Sequence, residues 1–204
     1  MHAPHPFDRL SPIHVVDAVS ALGLEPDGRI SSLSSYENRV YALPQEDLAQ
    51  TLVAKFYRPG RWSALQIQEE HDFALELQKE EVPMVAPLVL RGRTLHALKL
   101  EPNQRADSSV SSEDPPLEER VNCSEEKQDK GLVFAPMKTK LDTASSEDDV
   151  DFWFSVSPSR GGRMPELDDL EVLEWLGRFI ARLHSIGQVK PFTTRPALDV
   201  QSQG

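Results

Sequence analysis

Residues 101–149 constrain this chain more than any other stretch. They hold 13 acidic and 6 basic residues, a single aromatic (Phe134), and serine pairs at 108–109, 111–112 and 145–146. Such a segment cannot bury enough apolar surface to offset its ordering entropy, so it reads as a disordered acidic insertion in a loop. Any folded core must then come from residues 1–100 and from the segment that begins at Val150.

Those flanks carry clear periodicity. Residues 11–23 read as a helix with Ser11 as N-cap, Pro12 at the first helical position, a stripe of Val15, Val16, Val19 and Leu22, and Gly23 to end it. Arg29–Leu33, Arg39–Leu43 and Gln50–Tyr57 read as a three-strand meander. Its turns are Ser34–Asn38 and Pro44–Asp47, and Arg58-Pro59-Gly60 breaks the third strand. Ser63 opens a second helix to about Lys79, ended by Val82-Pro83. Strands are expected at Val85–Leu90 and Thr94–Leu98, around an Arg91-Gly92-Arg93 turn. After the insertion, Asp151–Ser157 reads as a buried strand. A strongly amphipathic helix from Asp168 to Ser185 follows, with Leu170, Leu173, Leu176, Ile180 and Leu183 in one stripe and Gly187 as its C-cap. Short turns between strands make the sheet mostly antiparallel, with a helix across it: an α+β pattern.

Composition narrows the partners. A net charge of −11 argues against a nucleic-acid binder, which needs a basic stripe. The one cysteine, Cys123, cannot form an internal disulfide, and no Cys/His cluster has zinc spacing. No apolar run is long enough to span a bilayer, and the first ten residues hold no signal-peptide core. The expectation is a cytoplasmic protein with no membrane partner.

Two charged residues in these elements point to phosphate chemistry. Lys55 lies within the third strand and shares a face with Thr51 and Val53. Glu70 lies on the following helix, three residues after Ile67 and four before Ala74, at the centre of its apolar stripe. Glu69 points toward the margin of that face. A carboxylate on a buried face is costly unless it pairs, with Lys55 the nearest cation in the pattern, or snorkels to the helix edge. In kinases a strand lysine contacts the α- and β-phosphates and a helix glutamate orients it. The Ser34–Asn38 turn lacks the glycine signature of protein kinases, but serine and asparagine still offer donors to phosphate.

The runs SSYENRVYAL, VAKFYRPGRW, IQEEHDFALELQKEEVPMVAPL, FWFSVSPSRGGRMPE and LEWLGRFIARLHSIG resemble the bacterial stress response kinase A (RdoA) family, over roughly residues 10–100 and 150–200. The resemblance implies an aminoglycoside- and choline-kinase-like fold and Ser/Thr protein kinase activity with ATP and magnesium. It implies that residues 1–100 and 150–190 form the N-lobe, hinge and linker helix, with 191–204 a tail where the C-lobe would start. By the same resemblance Lys55 binds the α/β-phosphates, Glu70 pairs with it, and Ser35 lies in the loop above ATP. Ser157–Ser159 would be the adenine hinge, with Pro158 leaving Ser157 and Ser159 as the available amide donors.

The family's catalytic aspartate follows His-Gly, and no histidine here (2, 5, 14, 71, 96 or 184) precedes Gly-Asp. The expectation is a chain that carries no catalytic residue or magnesium ligand of its own, and that would be inactive alone. An uncovered lobe underside would favour association. Two other readings stay open: a non-catalytic interaction module or pseudokinase fragment, and a small-molecule kinase of the aminoglycoside or choline type.

Overall fold

The computed structural model describes residues 5–46, 50–100 and 150–196. The expected insertion with Cys123, the turn residue Asp47 and the tail beyond residue 196 lie outside the described residues.

The elements are α1 (Pro12–Ser20), β1 (Ser31–Leu33), β2 (Arg39–Pro44), β3 (Thr51–Phe56), α2 (Ala64–Lys79), β4 (His96–Leu98), β5 (Phe152–Pro158) and α3 (Leu170–Gly187). The five strands form one sheet in the order β1-β2-β3-β5-β4, and each neighbouring pair is antiparallel. This is the α+β architecture with a five-stranded antiparallel sheet that the strand and turn pattern predicts.

The two faces of the sheet differ in chemistry. Leu52, Ala54 and Phe56 of β3 lie beside Phe152, Phe154 and Val156 of β5, and all are buried. Phe56 stacks on Phe154, and Phe7, just before α1, stacks on Phe152. The opposite face carries Val53 and Lys55 from β3, both half-buried, and Ser155 from β5. Tyr57, which follows β3, packs on that side with Ile67 of α2 and Leu95. Strand alternation thus sends the apolar row one way and Lys55 the other, toward α2.

Local chemistry sets the helix ends. The amide of Ser11 donates to His14 Nδ1 at 3.2 Å at the start of α1. Ser63 and Gln66 form a reciprocal capping box on α2, at 3.0 and 3.3 Å. Helix α2 stops at Lys79, where expected, and Glu81 just beyond it turns left-handed (φ 56°) ahead of Val82-Pro83. Gly187 is the last residue of α3 rather than its cap, and Gln188 in right-handed geometry takes that place.

The expected strand Val85–Leu90 does not form. Pro87 withholds an amide from the middle of its ladder. The segment keeps one bond to the sheet, from Leu88 N–H to the Val156 carbonyl at 2.8 Å. Leu90 and Arg93 then bridge each other around Arg91 and Gly92, both at positive φ. The strand expected at Thr94–Leu98 shortens to His96–Leu98, and the one at Arg29–Leu33 to Ser31–Leu33.

Candidate functional site

Lys55 and Glu70 meet on the α2 side of the sheet. Lys55 Nζ lies 3.4 Å from Glu70 Oε1 and 4.5 Å from the centroid of the Tyr57 ring. The lysine side chain is 34% exposed and the glutamate 39%. An ion pair this accessible adds at most about 1 kcal/mol to stability. Its value is geometric, because it holds an ammonium at a fixed place with protons still open to solvent.

Glu70 does not sit at the centre of the buried face, as the helical pattern suggests. That centre belongs to His71, which is 1% exposed, with Ile67, Ala74 and Leu77 around it. Glu70 lies at the rim, where a carboxylate stays partly hydrated.

His71 anchors a buried polar chain behind the pair. Its Nε2 lies 2.7 Å from the Tyr57 hydroxyl, and its Nδ1 lies 3.0 Å from Thr94 Oγ1. Tyr57 OH also reaches Ser155 Oγ at 3.4 Å, and Gln68 joins Thr94 to Asp72. Burial pushes the His71 imidazole down to about 4, with the nearby Glu70 charge opposing that shift. Burial likewise pushes the Tyr57 phenol up. Tyr57 and His71 are therefore both neutral near pH 7, and they brace strand against helix beneath Lys55.

A segment after α3 completes the rim. Glu69 accepts from the amides of Thr193, Thr194 and Arg195 and from both threonine hydroxyls. Those bonds, Thr194's hydroxyl foremost, hold its carboxyl down at about 2. Phe192 meets Phe73 edge-on, with ring centroids 5.4 Å apart. Arg195 Nη2 donates to Glu70 Oε2 at 2.5 Å, and its guanidinium lies 4.7 Å from the Trp62 ring centroid. Glu70 is thus shared by two cations.

The remaining predicted residues fall around this centre. Ser35 is half-buried in the turn between β1 and β2, and Tyr36 beside it is fully exposed. The turn is tied down by Glu37 accepting from Arg61 Nε at 2.5 Å and Asn38 accepting from the Arg58 amide at 3.2 Å. Ser157 and Ser159 lie at the end of β5, but their amides are not free. Ser159 N–H donates to the Thr51 carbonyl at 2.8 Å. Ser157 stands opposite Val53, two residues back along the same ladder, so its amide also faces β3. The expectation of two available hinge donors is therefore corrected: the sheet uses both.

A separate cavity of about 380 Å³ lies beyond the end of β3, lined by Arg58, Arg61, Trp62, Gln66, Asp151 and Trp153 among others, and it includes neither Lys55 nor Glu70. Among the described residues no three His, Cys, Asp or Glu side chains converge as a metal site, and no helix is long and apolar enough to cross a membrane.

Strand alternation and helix spacing pointed to Lys55 and Glu70 as partners, and the structure brings the two side chains together. Sequence reasoning missed Arg195, 125 residues from Glu70, because no local pattern marks a loop arginine for a distant carboxylate. It also missed His71, although a histidine four residues from Ile67 on the apolar face was a usable signal.

Comparisons with known proteins bear on the family and the fold. The phosphotransferase enzyme family matches residues 29–105. Stress response kinase A of Salmonella choleraesuis (strain SC-B67) is 35% identical over 190 residues, 93% of this chain and 42% of the relative. The serine/threonine protein kinase RdoA of Salmonella typhimurium is likewise 35% identical over 93% of this chain and 42% of its own length. Stress response kinase A of Escherichia coli (strain K12) is 33% identical over 192 residues, 94% of this chain and 43% of the relative. The chain therefore spans about two-fifths of the length of the curated relatives it matches. The structure of amicoumacin kinase hAmiN, in complex with AMP-PNP, Ca2+ and Ami, superimposes with a TM-score of 0.52 at 17% identity. That match covers 85% of this chain and 40% of the other, and shows a shared kinase-like fold.

Proposed function

Because the chain is homologous to the stress response kinase A proteins over about two-fifths of their length, we propose that it is the ATP-holding part of a Ser/Thr protein kinase. The reaction is transfer of the γ-phosphoryl group of ATP to a protein hydroxyl. The reading rests above all on one observation, the Lys55–Glu70 ion pair between β3 and α2.

In this reading Lys55 donates to the α- and β-phosphates of ATP, and Glu70 keeps its ammonium pointed at them. The Ser34–Asn38 turn lies over the phosphates, with Ser35 offering its hydroxyl. The end of β5 at Ser157–Ser159 borders the adenine, offering carbonyl and side-chain groups because its odd-numbered amides belong to the sheet. Magnesium bound with the nucleotide would supply charge neutralisation for the transfer, and among the described residues no acidic cluster would hold it. The relatives' names favour a protein hydroxyl as acceptor.

Thermal denaturation of the 204-residue chain with increasing Mg-ATP tests the reading. A ligand at 100 times its Kd adds about 2.7 kcal/mol, so a clear rise in Tm is expected for the wild type. Lys55→Ala should remove most of that rise. An equal rise in Lys55→Ala would sink the proposed role of the lysine.

A further inference from the structure

We propose that Arg195 is a positioning residue for the nucleotide-binding lysine, acting through Glu70. The inference rests on the ATP reading above and adds a residue to it.

Glu70 has two oxygens, and they face different cations. Oε2 takes the Arg195 guanidinium at 2.5 Å, while Oε1 faces Lys55 at the longer 3.4 Å. Arginine is therefore the tighter partner. It is also held independently of Glu70: Nε donates to the Gln66 carbonyl at 3.1 Å, the backbone amide donates to Glu69, and the guanidinium covers Trp62. An arginine held at the backbone and at two points of its planar fork dictates where the Glu70 carboxylate sits.

The division of charge matters for Lys55. A carboxylate with lysine as its sole partner would draw the ammonium into close contact and occupy its protons. With Arg195 taking one oxygen, Lys55 is steered but loosely held, and it keeps donors for phosphate. Trp62 extends the arrangement. Its ring also carries Arg61 at 4.7 Å, and Arg61 grips Glu37 in the Ser34–Asn38 turn. One indole thus joins the guanidinium that orients the pair to the guanidinium that pins the turn.

The test follows the initial rate at which a water-soluble N-hydroxysuccinimide ester acylates Lys55, read by peptide mass spectrometry on the full chain. Arg195→Ala should slow that rate by about threefold, as Glu70 closes onto Lys55, the size expected for an accessible ion pair. Arg195→Lys should restore at least half of the difference. In a Glu70→Gln background Arg195→Ala should have no effect, because the route through the carboxylate is gone. An unchanged or faster rate in Arg195→Ala, equal slowing in the Glu70→Gln background, or no recovery with lysine would each overturn the proposal. If Arg195→Ala does not fold, Arg195→Gln takes its place under the same criteria. A parallel arm adds Mg-ATP. Failure of Mg-ATP to protect wild-type Lys55 counts against the ATP reading, while the rates without nucleotide still decide the role of Arg195 on Glu70.

Discussion

Helices α2 and α3 invert what their sequences suggest. Helix α3 has the more regular apolar stripe, yet none of its residues is buried. Leu170, Leu173, Trp175 and Ile180 are all exposed, and Trp175 stacks on Phe179 of its own helix. Helix α2 is crowded with Glu, Gln and Asp, yet it buries Ile67, His71, Ala74 and Leu77 against the sheet. The difference teaches that an amphipathic pattern measures the capacity of a helix to pack. What it packs on is decided by the neighbour: α2 sets Ile67 beside Tyr57 and Leu95 and His71 beside the Tyr57 hydroxyl, whereas α3 buries none of its own residues. Helix α3 touches α2 through its last turns, where Arg182 donates to the Glu80 carbonyl and Gly187 meets the Phe73 ring.

The largest test of that contrast is a matched truncation. Leu77→Ala on α2 should cost about 2–5 kcal/mol in urea unfolding, as expected for a fully buried leucine. Ile180→Ala on α3 should cost no more than about 0.5 kcal/mol, as expected for an exposed position. Equal losses would mean that α3 carries stability its exposure does not reveal.

A smaller effect is protonic. Burial depresses both His71 on α2 and His96 on β4 to about 4, against an ordinary value of 6.5. Below pH 6.5 the unfolded chain takes up these protons first, so stability present above that pH is lost as pH falls toward 4. For each histidine the drop should be on the order of 1–3 kcal/mol, visible as a falling urea midpoint between pH 7 and pH 4. His96 Nε2 is buried with no hydrogen-bond partner among the described residues. His96→Phe should therefore flatten the pH dependence and raise stability by about 1 kcal/mol at pH 7. A flat wild-type profile would refute this account of the buried face.

The smallest test sits on the exposed helix. Glu174 and Arg178 form an i,i+4 ion pair on α3, both more than half exposed. Glu174→Ala should change stability by no more than about 0.5 kcal/mol, and added salt should erase the difference.

Much of this was legible in advance, for identifiable reasons. Strand alternation in Thr51–Phe56 and the Ser63–Gln66 cap are local, so β3, α2 and the meeting of Lys55 with Glu70 could be read from spacing. Val85–Leu90 misled because its apolar content suggests a strand while Pro87 interrupts its ladder. The hinge amides misled for a different reason. Pro158 shows which residue lacks a donor, but only the register with β3 shows that the amides of Ser157 and Ser159 are already spoken for. Arg195 was illegible because its partners are the side chain of Glu70, the ring of Trp62 and the carbonyl of Gln66, gathered by tertiary structure alone.

The junction between β4 and β5 has a consequence for how such a chain can diverge. Leu98 is paired with Phe152, the Asp151 amide donates to the Leu98 carbonyl, and Asp151 Oδ2 receives the Leu100 amide at 2.8 Å. Arg9 grips the same carboxylate from the N-terminal side. The hairpin is stapled at its neck by Arg9, Leu98, Leu100 and Asp151. Doubling such a connection costs only about 0.6 kcal/mol in closure entropy. Insertions and deletions can accumulate there at little cost, which makes this neck a permissive site for grafting new sequence while β4 and β5 stay in register.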